Sequence, residues 1–378
     1  MKVLYLQYAN PAAYPPLEHS SRIFADNGWE VLVLGSASHG TEALRFPPHP
    51  KIEVRMLRYC PPGWRQKLHF FWFVLWVWLT ALRWRPKWIY VSDPLSCPVA
   101  LLLSFFPRWQ LIYHEHDSPA ADESQNLSRF MRFVLWARRQ AAQRVAFCIL
   151  PSQRRAQLLT QSTETSRPVF CVWNCPSRQD VALPVLRRDR FTVYYHGNIG
   201  PELVPVSLLE ALAAVPGAHL LVIGYAAIGS DPHLETLRRE SKRLKITERV
   251  EIRPPLCRRE LLEEARMAHV GWAVIPTSPD DVNLQHIVGA SNKVFDYLAC
   301  SLPVLVLNSS RWVKTFVNSG YGLTCDPQKP DSITSAIRWL IEHPEETRQM
   351  GKRGRERILT EWNYEVQFSP VLRRIADS

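Results

Sequence analysis

Short apolar runs alternate along this chain with longer stretches of helical character, and this alternation constrains the fold more than any other feature. Strands that alternate with helices form parallel sheets, because each parallel connection needs a crossover. Seven runs in the first half read as strands: 2–8, 30–35, 52–57, 87–92, 110–115, 146–151 and 169–174. Six follow in the second half: 191–197, 219–225, 250–254, 270–276, 302–308 and 322–326. The sequence therefore predicts two doubly wound, Rossmann-like α/β domains.

A polar segment at residues 177–190 separates the two series of strands; it contains Pro184 and ends in four charged residues, so it reads as a linker. A chain of 378 residues is long enough for two cores. We predict an N-terminal domain at 1–185, a C-terminal domain at 186–360, and a last helix at 361–378 that could cross back to the first domain. Strand ends from both domains would face a ligand in a cleft.

Composition excludes several classes of protein. The chain is 46% apolar and 21% charged, which describes a globular protein and not a disordered one. Its eight cysteines are scattered, with only Cys171 and Cys175 close together, so neither a disulfide framework nor a zinc site is predicted. The N-terminal MKVLYLQY lacks the pattern of a secretory signal, so we expect a cytoplasmic protein.

The net charge of +11 favours an anionic partner, whether nucleic acid, a lipid surface or a phosphate-bearing substrate. No RNA-binding aromatic signature, zinc-finger spacing or basic-region heptad accompanies the charge. We therefore expect no nucleic acid partner and favour a phosphate-bearing ligand or a membrane surface.

The segment LHFFWFVLWVWLTAL (68–82) is apolar on every face. Its fifteen residues fall short of the roughly 20 needed to cross a bilayer. Two interpretations stay open, namely a core helix and a helix that dips into one leaflet. In the segment 129–144, three arginines share one helical face, which either faces a membrane or is solvated. The basic residues concerned are Arg65, Lys67, Arg83, Arg85 and Lys87 around the first segment, and Arg129, Arg132 and Arg139 in the second.

The run SNKVFDYLACSLPVL (291–305) reads as a helix that leads into a buried strand. Ser291 or Asn292 can cap this helix, and its exposed N–H groups would attract an anion. Lys293 adds a positive charge beside them, and Asp296 one turn later could accept hydrogen bonds from a ribose diol. The run therefore indicates either a nucleoside diphosphate site or an ordinary capped helix with a surface Lys–Asp pair.

The same run resembles the nucleotide-sugar site of retaining glycosyltransferases with the GT-B fold of two Rossmann domains, the large family often called family 4. YYHGNIG (194–200) resembles the turn after the first strand of the family's C-terminal domain, and LLVIGY (220–225) resembles its second strand. Residues 250–276 and 343–365 agree with later family segments in the same order. The resemblance implies a donor site made by Gly197, Asn198, Gly224, Tyr225, Ser291, Asn292, Lys293 and Asp296.

In the N-terminal half, LIYHEHDSP (111–119) resembles the strand-end turn of the family. The resemblance implies that His116 lies near the transferred sugar as a hydrogen-bond donor, with Asp117 beside it. His114 points the same way as His116 because side chains alternate along a strand. The alternative is a pair of histidines that are satisfied at a strand end.

The chain departs from the family pattern at several positions. Family members commonly carry two glutamates with seven residues between them, but Val288 and Asp296 stand here. The usual Arg and Lys that hold the donor phosphates would fall at Asn198 and near Leu203. Residues 8–21 replace the glycine-rich loop after the first strand. Neutralisation of the phosphates is therefore expected to rest on Lys293 and backbone N–H groups.

The resemblance implies a retaining glycosyltransferase that moves a sugar from a nucleoside diphosphate sugar to an acceptor, which could be a lipid-linked or membrane-presented glycan in polysaccharide biosynthesis. No Asp-x-Asp motif or His/Cys cluster offers metal ligands, so we expect no metal and no cofactor beyond the donor. Basic segments favour peripheral attachment to the inner face of a membrane. The alternatives are a catalytically silent GT-B protein that scaffolds a membrane assembly, and a nucleic-acid binder.

Overall fold

The computed structural model describes residues 1–41, 44–119, 127–181, 183, 185, 187–225, 231–278 and 280–377. Each of the thirteen predicted strands is present, and the observed ends differ from the predicted ones by three residues at most. Pro184 of the predicted linker lies outside the described residues, whereas the start of that segment forms a short 3-10 turn at Arg178–Asp180.

Within the described residues, the first half of the chain alternates seven strands with five α-helices. In chain order they are β1 (Lys2–Gln7), α1 (Pro15–Asp26), β2 (Glu30–Ser36), β3 (Ile52–Leu57), α2 (Trp64–Trp84), β4 (Trp88–Ser92), α3 (Cys97–Ser104), β5 (Gln110–His114), α4 (Arg129–Ala142), β6 (Phe147–Leu150), α5 (Gln153–Thr163) and β7 (Val169–Cys171).

In the described part of the second half, six strands alternate with nine α-helices, of which α9 and α11 are a single turn or less. In chain order they are β8 (Thr192–Asn198), α6 (Val206–Ala213), β9 (His219–Tyr225), α7 (Asp231–Arg243), β10 (Val250–Arg253), α8 (Arg258–Arg266), β11 (Val270–Ala273), α9 (Val282–Gln285), α10 (Asn292–Ala299), β12 (Val304–Leu307), α11 (Ser310–Trp312), β13 (Gly322–Cys325), α12 (Pro330–Glu342), α13 (Pro344–Thr360) and α14 (Tyr364–Ala376).

The chain forms two compact units. Unit 1 comprises Met1–Asn174, Ser278–Ala290 and Tyr364–Ser378, and unit 2 comprises Cys175–Thr277 and Ser291–Asn363. The segment Ser278–Ala290, which carries α9, and the last helix α14 therefore belong with the first half of the chain although they lie far from it in sequence.

Unit 1 is built on a seven-stranded parallel sheet in the order β3-β2-β1-β4-β5-β6-β7. One face packs against α2, α3, α4 and α5, and the other against α1 and α14. The strand order reverses between β1 and β4, and ligands of doubly wound sheets bind at the carboxyl ends of the strands beside such a reversal. The ends of β1, β4 and β5 are therefore the place to look for a site.

Unit 2 is built on a six-stranded parallel sheet in the order β10-β9-β8-β11-β12-β13. Its core is formed by the buried faces of β8, β9, α6 and α12 with β11 and β12. The order reverses between β8 and β11, so the carboxyl end of β8, at His196–Asn198, occupies the corresponding position.

Helix α2 contains the apolar segment whose role the sequence left open. Phe73, Val77 and Ala81 are fully buried in the core of unit 1, as expected of a core helix. The opposite side near the start of the helix exposes Trp64, Leu68, Phe71 and Trp72 to between 53% and 69%. We call these four residues the aromatic face. In the described part of the chain, no helix is both long and apolar enough to span a membrane.

Candidate functional site

The two predicted histidines lie together at the end of β5 in unit 1. Their rings are 4.0 Å apart, as strand alternation predicted. His114 is completely buried, and its Nδ1 lies 2.6 Å from the Tyr90 hydroxyl. Burial and the neighbouring His116 lower the pKa of His114 well below its usual value. His114 is therefore neutral, and its ring packs against the ring of His116.

His116 is 5% exposed, and within the described residues neither of its ring nitrogens has a hydrogen-bond partner. Its ring packs against Tyr14 at a centroid distance of 5.3 Å. Burial lowers the pKa of His116 to about 4, despite the opposing effect of Asp117. The imidazole is therefore neutral near pH 7, with a donor and an acceptor nitrogen unused. The adjacent Asp117 is exposed.

Between the histidines, Glu115 points into the core and forms a buried ion pair that sequence reasoning missed. Arg138 of α4 donates from Nε and Nη2 to the two carboxylate oxygens at 2.5 and 2.9 Å, and the Tyr113 hydroxyl donates at 2.6 Å. Burial alone would raise the pKa of Glu115, but these partners hold it below its usual value. The sequence signal for this buried charge was a single acidic residue between two histidines. Side chains alternate along a strand, so Glu115 lies on the face opposite to His114 and His116.

Two further charged residues hold the backbone of His116. Asp93, which directly follows β4, accepts the His116 N–H at 2.9 Å and the Gln7 side-chain amide at 3.2 Å. Arg155, in the first turn of α5 and 1% exposed, donates to the His116 carbonyl at 2.5 Å and to the Ser118 hydroxyl at 3.2 Å. The polar pair Ser92–Asp93 at a strand end was the sequence signal for the first of them.

The Ser278–Ala290 segment reaches the same turn. Asn283 accepts the Ser118 N–H at 2.8 Å and donates to the Ser118 carbonyl at 2.9 Å. Asp281 caps the short helix α9 by accepting the N–H groups of Asn283 and Leu284. Since 165 residues separate Asn283 from Ser118 in the chain, no local pattern could have revealed this contact.

In unit 2, two glycines bring β8, β9 and the start of α10 close together. A Cβ on Gly224 would lie 1.8 Å from the carbonyl oxygen of Gly197, its partner across the strands. A Cβ on Gly197 would lie 2.7 Å from Cε of Lys293, and Gly197 has a φ of +117°. Asn198 and Tyr225 continue the same pairing, and the Tyr195 hydroxyl donates to the Asn198 carbonyl. The structure thus brings the predicted residues of β8 and β9 and Lys293 into one cluster.

Lys293 lies across Gly197 with its Nζ 5.6 Å from the centre of the Tyr195 ring. Burial lowers the pKa of Lys293 to about 8, although Asp296 opposes the shift. Ser291 occupies the N-cap position of α10 but makes no side-chain capping hydrogen bond, so the prediction of a side-chain cap at Ser291 is wrong. The Ser291 side chain leaves the first-turn N–H groups of the helix to other acceptors.

Asp296 is 2% exposed and is engaged inside unit 2. Arg258 of α8 donates to both carboxylate oxygens, at 3.1 and 2.7 Å, and His196 Nε2 lies 3.5 Å from one of them. Arg258 also donates to Asp180 at 3.0 Å. Burial alone would raise the pKa of Asp296, but Arg258 and His196 hold it well below the usual value. The alternative of an ordinary helix with a surface Lys–Asp pair is therefore wrong, because Asp296 is buried. A contact between Asp296 and a ribose diol stays a prediction, and it would share an oxygen that already accepts a hydrogen bond from Arg258.

No group of three or more His, Cys, Asp or Glu side chains that could hold a metal ion occurs among the described residues.

Two family models match the chain and together account for most of it. The model described as "Glycosyl transferase 4-like domain" matches residues 17–173, and the one described as "Glycosyl transferase-like" matches residues 206–372. The chain belongs to the GT-B glycosyltransferases of this family.

Solved structures support the same fold. The glycosyltransferase has a TM-score of 0.73 to Anabaena HepE in complex with UDP and glucose, at 17% identity, and 0.73 to sucrose-phosphate synthase from Thermosynechococcus elongatus, at 19% identity. Both alignments cover all of each chain. At these identities the likeness establishes the fold.

A curated relative matches part of the sequence. It is the GDP-mannose-dependent alpha-(1-6)-phosphatidylinositol monomannoside mannosyltransferase of Mycolicibacterium smegmatis, 27% identical over 168 residues. The match covers 44% of this chain and 42% of that protein, so the chain spans less than half of the curated relative.

Proposed function

We propose that this glycosyltransferase transfers a sugar from a nucleoside diphosphate sugar to an acceptor, with unit 2 binding the donor and unit 1 supplying the acceptor side. The observation that carries the proposal is Lys293, packed across Gly197 at the end of β8 and at the start of α10. A lysine beside a helix N-terminus is a site for phosphate groups. HepE, which shares the fold, has been solved with UDP and with UDP-glucose.

In this proposal Lys293 and the first-turn N–H groups of α10 stabilise the negative charge that develops on the departing diphosphate. The pKa of about 8 keeps Lys293 mainly protonated at neutral pH. Such fixed positive charge can serve the leaving group without a metal ion, so we propose a metal-independent reaction. Retention of configuration is proposed from the family resemblance.

His116 would lie near the reacting sugar and donate a hydrogen bond as a neutral imidazole. Its unused ring nitrogens and low pKa support this role, because a buried polar group without a partner is costly in a folded protein. His114 would hold the ring in place, and Asp117 would take part at the exposed edge of the same turn.

We further propose an acceptor that is lipid-linked or otherwise presented at the inner face of a membrane. The aromatic face of α2 supports this, since four large apolar side chains exposed in a row with basic neighbours suit an interfacial helix. Arg65 and Lys67 lie in the same turns of the helix. Among the tryptophans in the middle of α2, Trp72 is 53% exposed, whereas Trp76 and Trp78 pack partly against the core.

A groove of about 390 Å³ continues from the aromatic face toward the end of α2. Trp72, Trp76 and Trp84 line it, with Arg55 of β3 and Arg83 at its sides. The guanidinium group of Arg55 already pairs with Glu53 at 2.7 Å. The aromatic walls and the guanidinium group of Arg83 suit a phosphate-bearing headgroup, which agrees with an anionic lipid surface.

A thermal-shift panel of nucleoside diphosphates and their sugars tests donor binding. A ligand at 100 times its Kd stabilises the native state by about 2.7 kcal/mol, which is readily measured. Stabilisation of wild type and not of Lys293→Ala is expected. If no nucleotide shifts the melting temperature, the donor proposal is wrong.

Donor hydrolysis without acceptor separates an enzyme from the catalytically silent alternative, because a scaffold would bind the donor and leave it intact. Activity should persist after EDTA treatment, and NMR of the product anomer should show retention. Loss of activity with EDTA that added divalent metal restores would contradict metal independence.

Vesicle co-sedimentation tests the membrane proposal. Binding should appear with anionic vesicles, weaken as salt rises, and fall when Trp64, Phe71 and Trp72 are changed to Ser. The control is Ile341→Ser, which removes an exposed apolar residue, 36% exposed, from α12 of unit 2. Wild-type protein that stays in the supernatant at low salt would favour a soluble acceptor.

A further inference from the structure

The backbone of Asp93 has a conformation that glycine adopts far more readily than aspartate. Its φ is +64° and its ψ is 161°, at the junction between β4 and Pro94. A side chain in this region is strained, and such strain persists only where surrounding contacts enforce it. Glycine would make the same turn without strain, so the side chain of Asp93 must do something that glycine could not.

Asp93 holds the end of β5 at two points. Its N–H donates to the His114 carbonyl at 2.9 Å, and its carboxylate accepts the His116 N–H at 2.9 Å. The two bonds lie on either side of Glu115, whose side chain is fixed to Arg138 on the other face of the strand. The turn that carries His116 is thereby held from both sides.

The ring of His116 depends on its backbone for its position. Neither ring nitrogen has a hydrogen-bond partner among the described residues, so ring packing against His114 and Tyr14 is the only other constraint that the contacts show. A small rotation of the His116 peptide would carry the ring away from any ligand placed against it. Displacements of about 1 Å can reduce a rate roughly a hundredfold.

We propose that Asp93 is a positioning residue for His116, and that its strained backbone is tolerated because its carboxylate fixes the His116 N–H. The proposal rests on the proposed role of His116 in sugar transfer. Asp93 itself acts through the peptide of His116 and through the Gln7 amide that orients its second oxygen.

Asp93→Gly is the decisive variant, because it removes the carboxylate and relieves the strain together. A merely structural residue would leave turnover unchanged, whatever the balance in stability between the relieved strain and the hydrogen bonds that the His116 N–H and the Gln7 amide lose. We expect kcat to fall at least tenfold and the donor KM to stay within threefold. Unchanged kcat in Asp93→Gly would overturn the proposal.

Two control variants sharpen the comparison. Asp93→Asn keeps the shape and an oxygen that can accept the His116 N–H, so it should recover most of the turnover that Asp93→Gly loses. Glu164→Gly relieves a positive φ of 54° at the exposed end of α5, and should change stability without changing kcat. A kcat for Asp93→Asn as low as that of Asp93→Gly would contradict a hydrogen-bond role.

Hydrogen exchange of a peptide that spans residues 113–119 separates failure of this proposal from failure of the proposed function. The His116 amide should exchange slowly in wild type and Asp93→Asn and quickly in Asp93→Gly. Slow exchange in all three would overturn the proposal whatever the activity. A wild-type protein with this exchange pattern but no donor turnover would instead refute the proposed function.

Discussion

Replacement of Asp296 by Asn tests what this buried carboxylate does. If Asp296 held a ribose diol, the change would mainly weaken donor binding. The structure shows a carboxylate that receives two hydrogen bonds from Arg258 and lies beside His196. We therefore expect Asp296→Asn to destabilise unit 2 and to leave donor affinity within about threefold of wild type.

The expected magnitude follows from the burial of the pair. Removal of one partner of a buried ion pair costs about 3–5 kcal/mol, because the other charge is left uncompensated. Here Arg258 keeps a second partner, Asp180 at 3.0 Å, and its side chain retains 18% exposure. The expected loss in the free energy of unfolding is therefore smaller, about 2–3 kcal/mol.

Urea denaturation followed by circular dichroism at pH 7 measures this loss, with calorimetry for donor affinity. Since Asp296 has a folded-state pKa well below its unfolded value, its stabilisation is present at neutral pH and is lost as the pH falls below about 4. The difference between wild type and Asp296→Asn should therefore shrink in acid. A loss below 1 kcal/mol at pH 7, or a tenfold loss of donor affinity at unchanged stability, would refute the reasoning.

Three further predictions concern the candidate donor site around Lys293 and the surroundings of His116. Lys293→Ala should weaken donor binding roughly ten- to hundredfold by calorimetry, as expected for a charge-assisted contact worth about 1.5–3 kcal/mol. The donor affinity of the wild type should also decline as the pH rises above 8, because the lysine loses its charge. Equal donor affinities of wild type and Lys293→Ala would remove this residue from the site. Gly197→Ala should weaken donor binding because its Cβ displaces Lys293, whereas Gly217→Ala, with a similarly positive φ but open space around its Cβ, should not. His116→Ala should lower kcat while donor affinity stays within a few-fold; because its pKa is about 4, His116 should add no titration to the kcat profile between pH 5.5 and 8.

Local periodicity was sufficient for the strands and for the neighbourhood of the two histidines. Each strand is a short apolar run between polar or helical segments, and tertiary packing had little to change except the ends. The placement of His114 and His116 on one side of β5 needs only alternation. The run around Lys293 likewise carried enough local information to place the lysine at the start of a helix.

The partners of the buried charges could not be found in the same way. Glu115 pairs with a residue 23 positions later on α4, and Asp296 pairs with one 38 positions earlier on α8. Only the folded structure brings α4 to the end of β5 and α8 to α10. Asp296 looks unpaired in the sequence for the same reason, because its partner Arg258 lies on another helix. An aspartate that looks unpaired near the start of a helix is easily assigned to a ligand.

Each of the two units has a buried carboxylate–arginine pair near a candidate functional side chain. In unit 1 Arg138 neutralises the charge of Glu115 in the core. The neutral His116 therefore lies next to an ion pair that carries no net charge. In unit 2 Arg258, which also pairs with Asp180, donates two hydrogen bonds to Asp296 close to Lys293. An unpaired carboxylate there would repel a diphosphate, whereas a paired one leaves the lysine charge effective. The buried pairs therefore shape the electrostatics around His116 and around Lys293, and this is why the change at Asp296 should be seen in stability before it is seen in binding.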